Sequence, residues 1–485
     1  MREAGILLPV FSLPGRYGIG DFGPSAYRFV KLISKMGMRI WQVLPLNPAG
    51  YGHSPYQPDS SFAGDPIYID LVKLYRDGLL RKKPKPFQKK GAFIRYDEVR
   101  AYKEKYFREA FKKFVPTKPY ELFAGQEWVR LYGVYRVMKD RNGGTEWNEW
   151  KDEDKAWIET RDDAFFTADE EKEIRYHMFL QYEFFIQWCY LKDYAREKGI
   201  RIMGDIPFYV GGDSLDVWMN QDEFLLGADG KPAFIAGVPP DFFCEEGQRW
   251  GNPIYDWDHM TENGFRFFSD RVKGAAKLYD LIRIDHFRAF DTYWKIPSSS
   301  ETAMVGEWIE APGYAFFDRL LPEIPGTEIV AEDLGILRPE VYELRDHYEF
   351  PGMNVIQFTL LDEEFEEKEN MIAYTGTHDN TTLEGWWKAM TEEERESAEK
   401  EAKERNIDLT NGVAPGFVSY VLQSEERIAI IAAGDILGLP EEARINSPGT
   451  VSDSNWSWKL DTLRDLGKQK KRMKELIRRS GRLHK

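Results

Sequence analysis

Two cysteines in 485 residues, Cys189 and Cys244, are too few for a disulfide framework and suit a reducing compartment. Long apolar runs are missing as well: nothing uninterrupted approaches the roughly 20 residues that cross a bilayer. The opening MREAGILLPVFSLPG holds only a short apolar run broken by Pro9 and Pro14, so no signal peptide is read there. Basic charge is in deficit. Against 81 Asp and Glu stand 66 Lys and Arg, a net charge of −15 that argues against nucleic acid or an anionic membrane as a partner. There is no low-complexity linker, no internal repeat, and no G-x-G-x-x-G after the first strand to support a dinucleotide-binding sheet. These absences together describe a soluble, cytoplasmic, globular protein.

What is present in quantity is aromatic: 15 % of the chain, with 15 tryptophans. Most of these are expected in the core, and some as flat platforms of the kind sugars stack on. Short β-rich runs that end in polar, Gly or Pro residues recur through the chain. They begin at Gly5 (GILLPV), Arg39 (RIWQVLPL), Ile200 (IRIMGDIPFYV) and Leu281 (LIRIDHF). Four more begin at Glu328 (EIVAEDLG), Met353 (MNVIQF), Ile372 (IAYTGTHDN) and Ile428 (IAIIAAGDILG). Several are almost continuously apolar, as parallel strands covered by helices are. Eight of them predict an α/β protein, a (β/α)8 TIM barrel over residues 1–485 with long, largely helical insertions.

Residues 72–168, between the second and third runs, read as an inserted helical subdomain, and 211–265 as a second insertion. Val99, Tyr102, Tyr106, Ala110 and Phe114 recur at helical spacing within the first. Gly143-Gly144 marks a turn, and Gly199 is placed to end a long helix that starts near Glu170. The lysine- and arginine-rich tail from Leu466 reads as a solvated surface helix.

In such a barrel, chemistry gathers where the strands end at their C-terminal side. The third run carries Asp205 there, the fourth Asp285, the fifth Glu332 and the seventh His378-Asp379. Arg283 and Asp285 lie two apart and share a face, whereas Glu332 and Asp333 must point in opposite directions. Convergent carboxylates with an arginine and a histidine fit glycoside chemistry, with one acid as nucleophile and another as proton donor. They equally fit a divalent metal site or an ion-pair network, and spacing alone leaves the three open.

Longer stretches resolve this. IRIDHFRAF, EIVAEDLG and YTGTHDNTT resemble the signature strands of amylomaltases, the disproportionating 4-α-glucanotransferases of the α-amylase clan. GILLPVFSLPGRYGIGDFG, LPLNPAGYGHSPYQPDSSFAG, GDIPFYVGGDSLDVW, AGVPPDFFCEEGQRWGNPIYDW and EEARINSPGTVSDSNWSWKL extend the resemblance from about residue 5 to 460. The resemblance implies transfer of α-1,4-glucan segments between chains such as maltodextrin, amylose and glycogen-derived glucans, through a covalent glucosyl-enzyme and without a cofactor or metal. It implies cyclic glucans as further products. Carried over position by position, it makes Asp285 the nucleophile, Glu332 the general acid and base, and Asp379 the residue that stabilises the distorted sugar. Arg283 would orient Asp285, and His378 would bind sugar hydroxyls. Asp205, Tyr51, Ser54, Gln248 and Trp250 fall at substrate-binding positions, and 211–265 becomes a lid and substrate-binding segment with Phe242 and Phe243 presenting aromatic surface. Phe242 stands where tyrosine is common in the family, and Lys459 where arginine is more familiar. A hydrolytic α-glucanase using the same three acids is the alternative.

Overall fold

The computed structural model describes residues 2–87, 91–240, 245–362, 365 and 369–483. The first strands are β1 (Glu3–Leu7), β2 (Ile40–Gln42) and β3 (Arg201–Ile206), followed by β4 (Phe234–Val238) and β5 (Gln248–Pro253). Then come β6 (Leu281–Ile284), β7 (Thr292–Pro297), β8 (Glu307–Glu310) and β9 (Glu328–Ala331). The last three are β10 (Gly352–Val355), β11 (Met371–Tyr374) and β12 (Ile428–Ala432).

Eight of these pair in parallel in the order β10-β11-β12-β1-β2-β3-β6-β9, and the Ala331 N–H donates to the Pro351 carbonyl at 3.0 Å where the two ends meet. The result is a nearly closed barrel with helices outside it, the TIM-barrel architecture read from the eight apolar runs; each run overlaps one barrel strand. Side-chain alternation divides the apolar residues into two layers. Leu7, Ile40, Met203, Leu281, Val330, Ile372, Ile428 and Ile430 fill the barrel interior. Ile6, Trp41, Ile202, Ile282, Ile329, Ala429 and Ile431 face the helices. Gly204 is required by this packing: a Cβ there would sit 2.1 Å from the Tyr279 ring, so a side chain would push β3 and the adjoining Asp205 out of place.

The four remaining strands form a separate antiparallel sheet, β5-β4-β7-β8, beside the C-terminal ends of β3 and β6. It was not legible in the sequence, since β8 is exposed and carries no apolar alternation.

Helix α1 (Pro24–Met36) follows β1, and its Phe29 packs against Trp41 with ring centres 5.1 Å apart. Between β2 and β3 lie α2 (Leu71–Arg76), α3 (Tyr96–Lys113), α4 (Lys118–Ala124) and α5 (Glu127–Arg141). Two single turns, α6 (Asp152–Lys155) and α7 (Trp157–Thr160), lead to α8 (Ala168–Glu197). Thr167 and Glu170 start α8 with a reciprocal capping box, and Gly199, at φ 70°, turns the chain out of it into β3. Gly143 and Gly144 both adopt positive φ beyond α5, as a turn there requires.

The buried face of α3 holds Val99, Phe107 and Ala110, with Lys103 fully buried among them. Its ammonium donates to the Ile67 and Ile69 carbonyls at 2.6 and 2.9 Å and lies 3.5 Å from the buried Asp21 carboxylate. Lys103 therefore ties α3 to the loop after β1 and to the segment before α2. The basic helix Lys470–Arg479 is only half solvated, because Met473 and Ile477 are buried. Beyond it, the fully buried Arg482 guanidinium donates to carbonyls of Glu3, Leu422, Ser424 and Arg427. Among the described residues, no helix is long and apolar enough to cross a membrane.

Candidate active site

β6 delivers Arg283 into the barrel mouth and ends one residue before Asp285. A single guanidinium nitrogen, Nη1 of Arg283, donates to both Asp205 oxygens at 2.9 and 2.8 Å and to Asp285 Oδ1 at 3.0 Å. Burial divides this group by task. The side chains of Asp205 and Arg283 are 0 % and 3 % exposed, whereas Asp285 is 31 % exposed and open to the cleft. Burying a charge is tolerable only with a partner, and here two buried opposite charges hold a third that faces outward. Tyr56 adds a neutral donor, its hydroxyl 2.9 Å from Asp205 Oδ2. Burial and the adjoining Asp205 raise the Tyr56 phenol well above its usual range, so it keeps its proton.

After Asp285 the chain turns sharply. His286 adopts a left-handed backbone, φ 53°, uncommon outside glycine. That turn aims its N–H at Glu332 Oε2, 2.7 Å away, while the Leu334 N–H reaches Glu332 Oε1 at 3.2 Å. Asp333 points the other way, into a buried contact with Arg345 and the Met353 N–H. The alternation expected of neighbouring residues thus leaves Glu332 alone to face Asp285. Trp250 packs edge-on against His286, ring centres 4.8 Å apart, with its indole N–H donating to Gln248 Oε1 at 3.2 Å. Burial and Arg288 push the His286 imidazole down to about 3, so it is neutral.

The third acid comes from the loop after β11. Asp379 receives the Asn446 amide on Oδ1 at 2.6 Å and lies 3.3 Å, through Oδ2, from His378 Nε2. Arg444 holds its backbone carbonyl at 2.7 Å. His378 stacks on Tyr56 with ring centres 4.9 Å apart, and Trp456 closes the aromatic group from the side.

The three carboxylates differ in proton affinity. Burial pushes Asp285 up and Arg283 draws it back, leaving it at about 6. Burial raises Glu332 further, to about 7, against the opposing pull of Arg283. Burial would raise Asp379 too, but His378 and the Asn446 amide hold it down at about 2. Burial lowers the His378 imidazole and Asp379 more than offsets it, so His378 sits above its ordinary value. At a pH between about 6 and about 7, two carboxylates are ionised and the third is protonated, the division of labour that nucleophile and general acid require.

The structure thus gathers Asp205, Arg283, Asp285, Glu332, His378 and Asp379 into one cluster, with Gln248 and Trp250 against its edge. Ser54 accepts the Tyr56 N–H at 3.3 Å and so shapes the turn that presents Tyr56. Tyr51 falls in the short 3-10 helix Tyr51–His53; its side chain, like Phe242 and Phe243, lies outside the described residues. Sequence reasoning missed Tyr56, His286, Arg444, Asn446 and Trp456 as members of the cluster. All five stand inside stretches singled out for their resemblance, but no spacing rule connects Asn446 to an aspartate 67 residues earlier.

A parallel barrel with carboxylates of graded proton affinity at its C-terminal mouth is an enzyme scaffold for acid–base and nucleophilic chemistry. Comparison with known proteins narrows the class. Residues 8–464 match the family described as 4-alpha-glucanotransferase. A 4-alpha-glucanotransferase of Aquifex aeolicus is 40 % identical over 493 residues, covering 98 % of this chain and 99 % of that one. One from Clostridium butyricum is 41 % identical over 469 residues, covering 93 % and 94 %. The solved amylomaltase of Streptococcus agalactiae, in complex with acarbose, superposes with a TM-score of 0.93 at 33 % identity and full coverage of both chains. The chain belongs to the 4-alpha-glucanotransferase family of enzymes.

Proposed function

We propose that this enzyme transfers α-1,4-glucan segments between maltodextrin or amylose chains by retaining double displacement. Asp285 attacks the anomeric carbon while Glu332 gives its proton to the departing glycosidic oxygen, so one C–O bond forms as another breaks. Asp379, ionised and fixed by Asn446 and His378, stabilises the positive charge that develops on the ring. The product is a β-linked glucosyl ester on Asp285. In the second step, Glu332 takes the proton of an acceptor hydroxyl, whose oxygen displaces Asp285. The observation that carries this reading is the one-nitrogen bridge from Arg283 to Asp205 and Asp285, with Glu332 facing the same cleft at higher proton affinity.

Transfer must outrun hydrolysis. Favouring an acceptor at about 1 mM tenfold over water at about 55 M takes a preference of about 5 × 10⁵, or about 8 kcal/mol. Oriented binding can supply that much. Residues 211–265 supply the acceptor side and the lid, with Trp250 fixed over His286 as one wall and Phe242 and Phe243 as aromatic cover. The same second step with an acceptor hydroxyl on the donor's own far end makes cyclic glucans. The carboxylate-rich cleft and net charge of −15 support a neutral glucan in preference to nucleic acid or a membrane surface, and the cysteine content supports a cytoplasmic setting.

Incubation with purified maltotriose tests the assignment. A ladder of glucose and longer maltodextrins at constant reducing value is expected; shorter products with rising reducing ends would mean hydrolysis.

A further inference from the structure

Away from the carboxylate cluster, the outer helical shell carries an open groove of about 770 Å³ between α1, α2 and the last turns of α8. Its volume falls in the range of small-ligand sites. No residue of the cluster lines it. Three tyrosines face it: Tyr27 from α1, and Tyr190 and Tyr194 one helical turn apart on α8. Tyr27 and Tyr194 pack at 5.0 Å between ring centres, while Tyr190 is 50 % exposed. Lys73 Nζ lies 5.5 Å from the Tyr190 ring centre and Lys198 Nζ 5.1 Å from that of Tyr194, so each ring already carries a cation over part of its surface, and Tyr190 keeps an exposed remainder for a further contact.

The polar groups of the floor are already paired. Gln187 Oε1 accepts the Asp70 N–H at 2.7 Å, and the Asp70 carboxylate caps α2 through the Val72 and Lys73 N–H groups. The groove is therefore preformed and needs no ligand to satisfy it. Its walls carry Arg28, Lys73 and Arg76 against Asp70, Asp193 and Glu197, three charges of each sign. That balance gives no net field to attract an anion or a cation. It offers donors and acceptors alternately, beside aromatic faces. A neutral, polyhydroxylated ligand with flat apolar faces answers to all three properties: its hydroxyls both donate and accept, and its rings stack on phenols.

We propose that this groove is a second glucan-docking site, holding a stretch of a long α-1,4-glucan while the chain's reacting part lies in the barrel mouth. The inference rests on the glucan reading above. Tethering at a second point raises the effective concentration of a long chain at the cleft and does nothing for a trisaccharide that cannot reach both.

The test pairs Tyr190→Ala/Tyr194→Ala with the aromatic control Tyr190→Phe/Tyr194→Phe. Transfer is assayed with maltotriose and with amylose, and migration is read by native electrophoresis through amylose-containing gels. The double alanine variant should raise KM for amylose about tenfold, a loss of two stacking contacts, and migrate faster through amylose. Its kcat and KM for maltotriose should stay within about twofold of wild type, and the phenylalanine variant should behave as wild type throughout. Unchanged amylose KM and retention in the double alanine variant would overturn the groove, as would an equal loss on both substrates. A wild-type enzyme inert on maltotriose, with amylose retention still dependent on Tyr190 and Tyr194, would instead overturn the transfer reading and leave the groove standing.

Discussion

Removing the charge of Arg283 tests the link between the buried ion pair and the chemistry. In Arg283→Met, Asp285 loses a 3.0 Å charge-assisted hydrogen bond, and among the described residues Asp205 keeps the Tyr56 hydroxyl as its side-chain donor. Such a bond contributes about 1.5–3 kcal/mol, which at about 1.4 kcal/mol per unit is a rise of about one to two units in the Asp285 pKa. With limbs at about 6 and about 7 in the wild type, the form with Asp285 ionised and Glu332 protonated reaches about 60 % at its optimum. Raising the first limb by one to two units cuts that to between about 25 % and about 6 %, a two- to tenfold loss of kcat/KM from protonation alone. The optimum moves upward by about half a unit to one unit. Arg283 also draws Glu332 down, so its removal shifts the alkaline limb the same way, which adds to the displacement and makes the two- to tenfold figure the largest loss that protonation alone can cause. The assay is glucose release from maltotriose across pH 4–9, beside a thermal melt, since orphaning Asp205 also costs about 3–5 kcal/mol of stability. The shape of the profile carries the information, not its height. Arg283→Lys, which keeps one cationic nitrogen, should restore part of the acid limb. A Met variant with lowered activity but unmoved limbs would show that Arg283 supports the fold and does not tune Asp285.

Two further outcomes follow from contacts already described. Asn446→Ala removes the 2.6 Å amide from Asp379 and leaves His378 as its main partner. It should lower kcat about 10- to 100-fold with little change in melting temperature, a loss of about 1.5–3 kcal/mol from a bond to a charged group. Lys103→Met strands the buried Asp21 carboxylate and two carbonyls, and should destabilise the protein by about 3–5 kcal/mol in denaturant titration. The pH dependence has a definite sign. Burial raises Asp21 from 3.8 to about 7 in the folded state, so the native form binds its proton more tightly than the unfolded chain. The contribution of Asp21 to stability falls as pH rises from 3.8 through about 7. Lys103 draws Asp21 down, so its loss raises the Asp21 pKa further and carries the fall on above about 7; a difference between variant and wild type that does not grow above that pH would refute it.

The barrel was legible because parallel strands covered on both faces read as short apolar runs, a pattern that survives without knowledge of neighbours. The acids were legible for the same reason: Asp205, Asp285, Glu332 and Asp379 interrupt or end those runs. The antiparallel sheet was not, because Gln248, Trp250, Trp294 and Trp308 alternate with glycine and charge in strands too short to show a period. Lys103 was missed since a lysine on an amphipathic helix reads as solvent-facing, and only the Ile67 and Ile69 carbonyls and Asp21 explain its burial. Tyr56 and Asn446 were missed for a topological reason. Each meets its partner across a long stretch of chain, 149 residues to Asp205 and 67 to Asp379. Composition, spacing and alternation report only on what lies nearby.

The segment 444–460 has a part in the order in which the protein is made. It follows every barrel strand in the chain, yet it pins Asp379 through Arg444 and Asn446 and sets Trp456 beside His378. It also binds back to the earliest parts: Ser12 donates to the Trp458 carbonyl, the Leu460 N–H to Ser12, and the Tyr96 hydroxyl to Trp456. A chain folding as it is synthesised can assemble its eight strands before this belt is available. Asp379 is thus among the last parts of the site to be fixed, and because Trp456, Trp458 and Leu460 are buried, a lesion in the belt disturbs packing together with the geometry of the third acid.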